Sequence, residues 1–114
     1  MIFHIARRAT WDAAVASGEY RQSTVDRTLE EEGFIHASSA EQVQGVADRY
    51  YQDVPDELVL LVIDPDRLAH ELRWDESPTH GERFPHIYGP LNVDAVVEAR
   101  PLPRDPTSGR LHIA

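Results

Sequence analysis

Six consecutive apolar residues, Leu58 to Ile63, stand between Glu57 and Asp64. That length suits a strand, and the lack of polar alternation means that both faces of the strand are buried. A central strand of this kind needs cover on two sides. The remaining residues must therefore supply further strands and apolar helix faces around one sheet.

Such elements are present along the chain. Ile2 to Ala6 reads as a first strand. Thr10 is placed to cap a short helix with Trp11, Ala14 and Val15 on one face, closed at Gly18. Thr24 to Glu32 reads as a second helix ending at Gly33, followed by a strand from Gly33 to Ala37. Ser39 with Gln42, or Ser38 with Glu41, makes a capping box ahead of Val43, Val46, Ala47, Tyr50 and Tyr51, whose spacing is helical. Leu68 to Trp74 alternates as a half-buried strand beyond the turn Asp64-Pro65-Asp66. Asp75 to Glu82 is a polar loop and a candidate lid, and Phe84 to Gly89 is extended. Asn92 is placed to cap a helical turn at Val93 to Ala95. Val96 to Leu102 reads as a strand whose prolines put its end at an edge. Pro103 to Gly109 reads as a mobile polar tail, and Arg110 to Ile113 as a last edge strand. The order lacks the regular alternation of a doubly wound sheet. It predicts one α+β domain over residues 1–114, with a mixed or antiparallel sheet and two or three short helices.

Charge narrows the partners. Twenty acidic against 11 basic residues give a formal net charge of −9. Such a surface repels nucleic-acid backbones and anionic membranes, so neither non-specific nucleic-acid binding nor membrane docking is expected. There are no cysteines, which removes thiolate catalysis, disulfides and cysteine metal sites together. The apolar stretch at Met1 to Ala6 is too short for a signal-peptide core or a membrane span. A cytoplasmic location fits both observations.

Three of the six histidines share one setting: Phe3-His4-Ile5, Ile35-His36-Ala37 and Pro85-His86-Ile87. Each lies in an apolar segment that reads as extended. Strand alternation puts His4 on a face with Ile2 and Ala6, His36 with Phe34 and Ser38, and His86 with Phe84 and Tyr88. If the strands adjoin, three imidazoles line one cleft, where they can donate, accept, bind metal or change charge near neutral pH. Any one of them alone reads first as a satisfied core histidine, and it is the threefold repeat of the setting that favours a shared site. His70, His80 and His112 lack the setting and read as surface residues. Two prolines and a glycine fix the backbone of Phe84 to Leu91 around His86 and Tyr88, which suits either ligand presentation or a structural corner.

Gly33-Phe34-Ile35-His36-Ala37-Ser38 and Phe84-Pro85-His86-Ile87-Tyr88-Gly89-Pro90-Leu91, with matching pieces from Ile2 to Asp64, resemble the small bacterial and plant proteins grouped as domain-of-unknown-function family 952. A more distant likeness joins Phe3-His4, Ile35 to Ser38 and Leu61 to Asp64 to the strand series of RNA 2′-phosphotransferases, which have the ADP-ribosyltransferase fold and use NAD. That likeness implies an ADP-ribosyltransferase-like fold. It implies His4 on a ribose of NAD, His36 and Ser38 near the nicotinamide ribose, Tyr88 stacked on a ring, and Arg7 and Arg8 at a pyrophosphate. His36 and His86 would be the catalytic residues. The chain lacks the extra N-terminal domain of those enzymes, and it has no secure match to the glutamate that mono-ADP-ribosyltransferases use. Glu98 is a weak match that reads more readily as a surface residue.

Four functions follow, the last of them an interaction domain with the acidic helix Thr24 to Glu32 as its surface, although acidic runs are usually just solvated. The first is an NAD-using transferase of the ADP-ribosyl or phosphotransferase type. The second is a non-catalytic binding module for a nucleotide or small metabolite. The third is a three-histidine metal site, disfavoured because no short ligand spacing such as His-x-x-x-His occurs. The expected partner is thus a small nucleotide, and no metal is expected.

Overall fold

The computed structural model describes residues 1–78 and 81–113. In chain order the elements are β1 (Ile2–Arg7), α1 (Arg8–Ser17), β2 (Glu19–Tyr20), α2 (Leu29–Glu32), β3 (Ile35–His36), α3 (Val43–Val46), β4 (Leu58–Ile63), β5 (Leu72–Glu76), β6 (Arg83–Ile87), β7 (Leu91–Asn92) and β8 (Val96–Pro101). The architecture is α+β. The strands form three antiparallel sheets, ordered β1-β4-β8, β2-β7 and β3-β6-β5.

β4 is the central strand that its sequence predicts. It pairs with β1 from Ile2↔Ile63 to Arg7↔Leu58 and with β8 on the other side. All six of its side chains are buried. Val59, Leu61 and Ile63 enter one apolar cluster with Trp11, Ala14 and Tyr20, while Leu58 and Leu60 enter a second with Val43, Ala47 and Tyr51. Each fully buried aliphatic side chain contributes about 1.5–3 kcal/mol, so this strand is the energetic centre of the molecule.

Several local expectations change. α1 begins at Arg8, not after Thr10, because β1 runs straight into it. The Arg8 N–H, an unpaired donor of the first turn, is met by the carbonyl of Glu57 at 2.8 Å, and no side chain caps the helix. Trp11 and Ala14 are buried, but Val15 is 54% exposed, since so short a helix meets the core along one line only. The helix expected over Thr24 to Glu32 forms only at Leu29–Glu32. Upstream, the Thr24 hydroxyl accepts from the Arg27 N–H, and the N–H groups of Ser23 and Thr24 both donate to the Arg27 carbonyl. These local bonds compete with helix formation. Thr28 is the cap instead, in a reciprocal box with Glu31, and Gly33 closes the helix at φ 93°.

Ahead of α3 the side chain of Gln42 accepts from the Ser39 N–H at 3.0 Å, as half of the expected box. After Val46 the helix widens into a π-helical turn, Ala47–Tyr51. Val43, Ala47 and Tyr51 point inward, and Tyr50 is left 59% exposed. The strand expected at Leu68 to Trp74 lies later, at Leu72–Glu76, so Asp75 and Glu76 belong to a strand and not to a lid. Val93–Ala95 forms a 3-10 turn, but the Asn92 side chain accepts from the Ala69 N–H and donates to the Arg67 carbonyl rather than capping it. In the tail, Arg104 donates to the carbonyls of Gln52 and Val54 and Leu111 is buried. The expected last strand reduces to a bridge between Arg104 and Leu111. Among the described residues no helix is long and apolar enough to cross a membrane.

The two larger sheets share one core and are joined through the main chain at a bridge. Phe3 and Ser38 exchange both main-chain hydrogen bonds at 2.8 Å. Beyond that bridge β1 and β3 part, and the His4 side chain spans the gap by donating from Nδ1 to the His36 carbonyl.

Candidate functional site

The parted strands border a cavity of about 720 Å³, in the range of small-molecule sites. His4, His36, Ser38, His86 and Tyr88 line it. The other walls come from residues 23–27 and from the α3 side, including Arg49 and Tyr50. Arg7, the sixth expected site residue, is not among the lining. Its guanidinium donates to the Val25 carbonyl at 2.9 Å and pairs with Asp56 at 3.4 Å, because a cation at the end of β1 finds these acceptors closer than the cavity. Arg8 pairs with Glu57 at the surface.

Register explains the central cluster. β3 and β6 set Ile35 opposite Ile87 and His36 opposite His86. Directly opposed residues in an antiparallel pair share a face and lie close together. The imidazoles of His36 and His86 accordingly meet edge to face, with centroids 4.7 Å apart. Phe34 stacks on His86 at 4.1 Å and 17°, and its ring also contacts His36 and Tyr88.

Each histidine is anchored by a different carboxylate. His36 donates from Nε2 to Glu32 at 3.1 Å. His86 donates from Nδ1 to Asp75 at 2.8 Å, and the Tyr88 hydroxyl donates to the same Asp75 oxygen. Each bond commits one ring nitrogen as a donor to its carboxylate. His36 Nδ1 and His86 Nε2 have no hydrogen bond among the described residues. Burial holds the His86 pKa below its ordinary value, against the opposing pull of Asp75. The Tyr88 hydroxyl and then His86 lower the Asp75 pKa, while Asp75 raises that of Tyr88.

His4 is a different kind of residue. It is 4% exposed, its Nδ1–H is spent on the His36 carbonyl, and its Nε2 accepts from the Tyr20 hydroxyl at 2.9 Å. Burial pushes its pKa down to about 4 and raises that of Tyr20. With both nitrogens used, His4 braces the cleft wall and presents apolar ring surface. The structure thus pairs the part-exposed His36 with His86, which is buried at 7% exposure but keeps one ring nitrogen without a hydrogen bond among the described residues, and places beside them a third histidine whose nitrogens are both used. Among the described residues no group of three or more His, Asp or Glu can hold a metal ion, so the three-histidine metal arrangement has no geometry here.

Ser38 supplies the main-chain bridge to Phe3 and a cavity-facing position. Glu98 lies on exposed β8, ion-paired to Arg100 at 3.0 Å, and does not line the cavity. His70 is exposed, donating from Nδ1 to the Pro90 carbonyl, and His112 is exposed as expected. His80 lies outside the described residues.

Glu32 and Asp75 are the site residues that sequence reasoning misses. Glu32 reads as the end of a solvated acidic helix, and Asp75 as the start of a loop. One sequence cue was available for Glu32. It precedes His36 by four residues across the turn at Gly33, which brings the two side chains together on the same side.

The family model described as a protein of unknown function (DUF952) matches residues 5–99. The crystal structure of protein CC0527 from Caulobacter crescentus is similar to this chain with a TM-score of 0.82 and 36% identity, covering 97% of this chain and 92% of that one. The solution NMR structure of CC0527 gives a TM-score of 0.76 and 38% identity, covering 96% and 89%. No curated protein matches the chain.

Proposed function

The chain belongs to the DUF952 family of proteins of unknown function, and from that premise we propose that its cleft is a nucleotide pocket of the ADP-ribosyltransferase type, with NAD as the ADP-ribosyl donor. One observation carries the reading. Two imidazoles, each fixed by its own carboxylate, line the cavity with their second ring nitrogens uncommitted among the described residues. Ribose hydroxyls are donors that such nitrogens accept.

The surroundings suit the rest of the ligand. Phe34 and Tyr88 supply aromatic walls, with Phe34 stacked on His86 and Arg73 lying over the Tyr88 ring. Glu32 and Asp75 put negative charge beside them, which favours a cationic nicotinamide ring and positive charge building on its ribose. Glu32 takes the part for which Glu98 was the sequence candidate. In the expected reaction the ribose C1′–nitrogen bond breaks with its electron pair going to nicotinamide. An acceptor oxygen forms the new bond to C1′, and its proton passes to His36 or His86.

A binding module without turnover is the second reading. It is favoured by the fact that Glu32 and Asp75 are both hydrogen-bonded to histidines. NAD titration separates the two. Binding raises the melting temperature by mass action, by about 2.7 kcal/mol of stability at a ligand concentration 100 times Kd. Release of nicotinamide then marks the transferase, and stabilisation without release marks the module. No thermal shift at millimolar NAD refutes the NAD reading in both forms.

A further inference from the structure

Residues 22–28 form a tongue along the cavity opposite the histidines' own strands. A bridge between Gln22 and Thr28 closes its base. Its carbonyls are occupied: Thr24 and Val25 accept from the Gln22 amide, Val25 also from Arg7, and Arg27 from the N–H groups of Ser23 and Thr24. Within this hydrogen-bonded framework one side-chain group stands out. Ser23 is completely buried, lines the cavity, and carries the one sealed side-chain polar atom that lacks a hydrogen bond among the described residues. A buried hydroxyl without a partner is costly, and native structures retain few.

We propose that this tongue is the phosphate clamp of the cleft, with Ser23 Oγ and the Arg27 guanidinium as its contacts. The inference rests on reading the cleft as a nucleotide pocket. Ser23 and Arg27 are neighbours across the tongue through the 2.9 Å bond between their main chains, and both line the cavity. A phosphate oxygen accepts from a hydroxyl and from a guanidinium alike, so one group satisfies both. Arg27 is available for exchange. It lies 3.7 Å from Glu32, longer than a charge-assisted hydrogen bond, and Glu32 already accepts from His36. Asp26, Glu32, Asp75 and Glu76 also line the cavity, so an anion is held only where a cation offsets them. Arg27 and Arg49 are the lining cations.

The test compares ligands that differ only in phosphate. Adenosine is set against ADP, and nicotinamide riboside against nicotinamide mononucleotide, by calorimetry on the wild type, Ser23→Ala and Arg27→Gln. In the wild type the phosphate-bearing member of each pair binds about tenfold tighter or more. Arg27→Gln removes most of that gain and leaves the unphosphorylated partner within about twofold. Ser23→Ala cuts the gain several-fold and raises Tm, because it deletes an unsatisfied hydroxyl. A gain kept intact in both variants overturns the clamp, as does a Ser23→Ala protein that melts lower with its affinities unchanged. If the nucleosides bind the wild type and phosphate adds nothing, the clamp alone fails. If no member of either pair binds, the nucleotide pocket fails and takes the clamp with it.

Discussion

His36 and His86 sit directly opposite each other on β3 and β6, their rings nearly perpendicular at 86°. Strand pairing sets their distance, and Glu32 and Asp75 set their rotations. Position and orientation are thus controlled by different residues and can be perturbed separately.

Asp75→Asn tests the orientation of His86. The amide oxygen can still accept from Nδ1–H, but the charge is gone. Asp75 raises both the His86 and the Tyr88 pKa, so both fall in the variant. Imidazole titration by NMR should move to lower pH, and the phenol should ionise at lower pH by ultraviolet absorbance. An unmoved Tyr88 would show that its hydroxyl does not rest on Asp75.

His36→Ala should reduce nucleotide affinity more than stability. The side chain is 39% exposed and its bond to Glu32 lies at the cavity rim. We expect a stability cost of about 1 kcal/mol or less and a loss of NAD binding of about tenfold. Urea denaturation and calorimetry measure the two. A variant that is mostly unfolded would return His36 to the class of core histidines.

His4 predicts a pH dependence of folding. Its folded pKa of about 4 lies below the ordinary histidine value of 6.5, so the unfolded chain takes up the proton first as pH falls. The stability tied to neutral His4 is full above pH 6.5 and is lost as pH drops through that value towards 4. The loss is on the order of 3 kcal/mol. The stability gap between wild type and His4→Gln should therefore be wide at pH 7.5 and narrow near pH 4. A gap independent of pH would mean that His4 is not buried in its neutral form.

Gly89 is held by contact with a ring. A methyl group at this position would lie 2.4 Å from Cγ of His70. Gly89→Ala must displace that ring and break its bond to the Pro90 carbonyl, at a cost of about 1–3 kcal/mol. His70→Ala opens the space, so the double variant should be more stable than the two single effects predict. Simple additivity in urea denaturation would refute the contact.

The sequence carried the central strand and the histidine pair because both rest on patterns of residue type. An unbroken apolar run has one physical outcome, and His36 and His86 occupy alike settings on strands that pair. The tongue was unreadable for the opposite reason. Ser23, Thr24 and Asp26 are compatible with a helix start, and only the Thr24 hydroxyl on the Arg27 N–H decides for a turn. The capping box at Thr28 was written in the chain but was outweighed by a longer apparent helix. A strand read over Leu68 to Trp74 stops one residue short of Asp75, the anchor of His86. The demotion of His4 followed from Tyr20, sixteen residues away, whose contact no local pattern announces.

The bridge at Phe3 and Ser38 has a mechanical meaning. Two plates of sheet share one riveted point, reinforced by the His4 imidazole. Beneath the rivet the two plates share one core, in which Ile35 and Ile87 pack with Ala6, Leu61 and Ile63, so main-chain pairing and side-chain packing together set the width of the slot. A guest that touches both plates would stiffen the joint, so slowed amide exchange at Phe3 and Ser38 would register occupancy without any label on the guest.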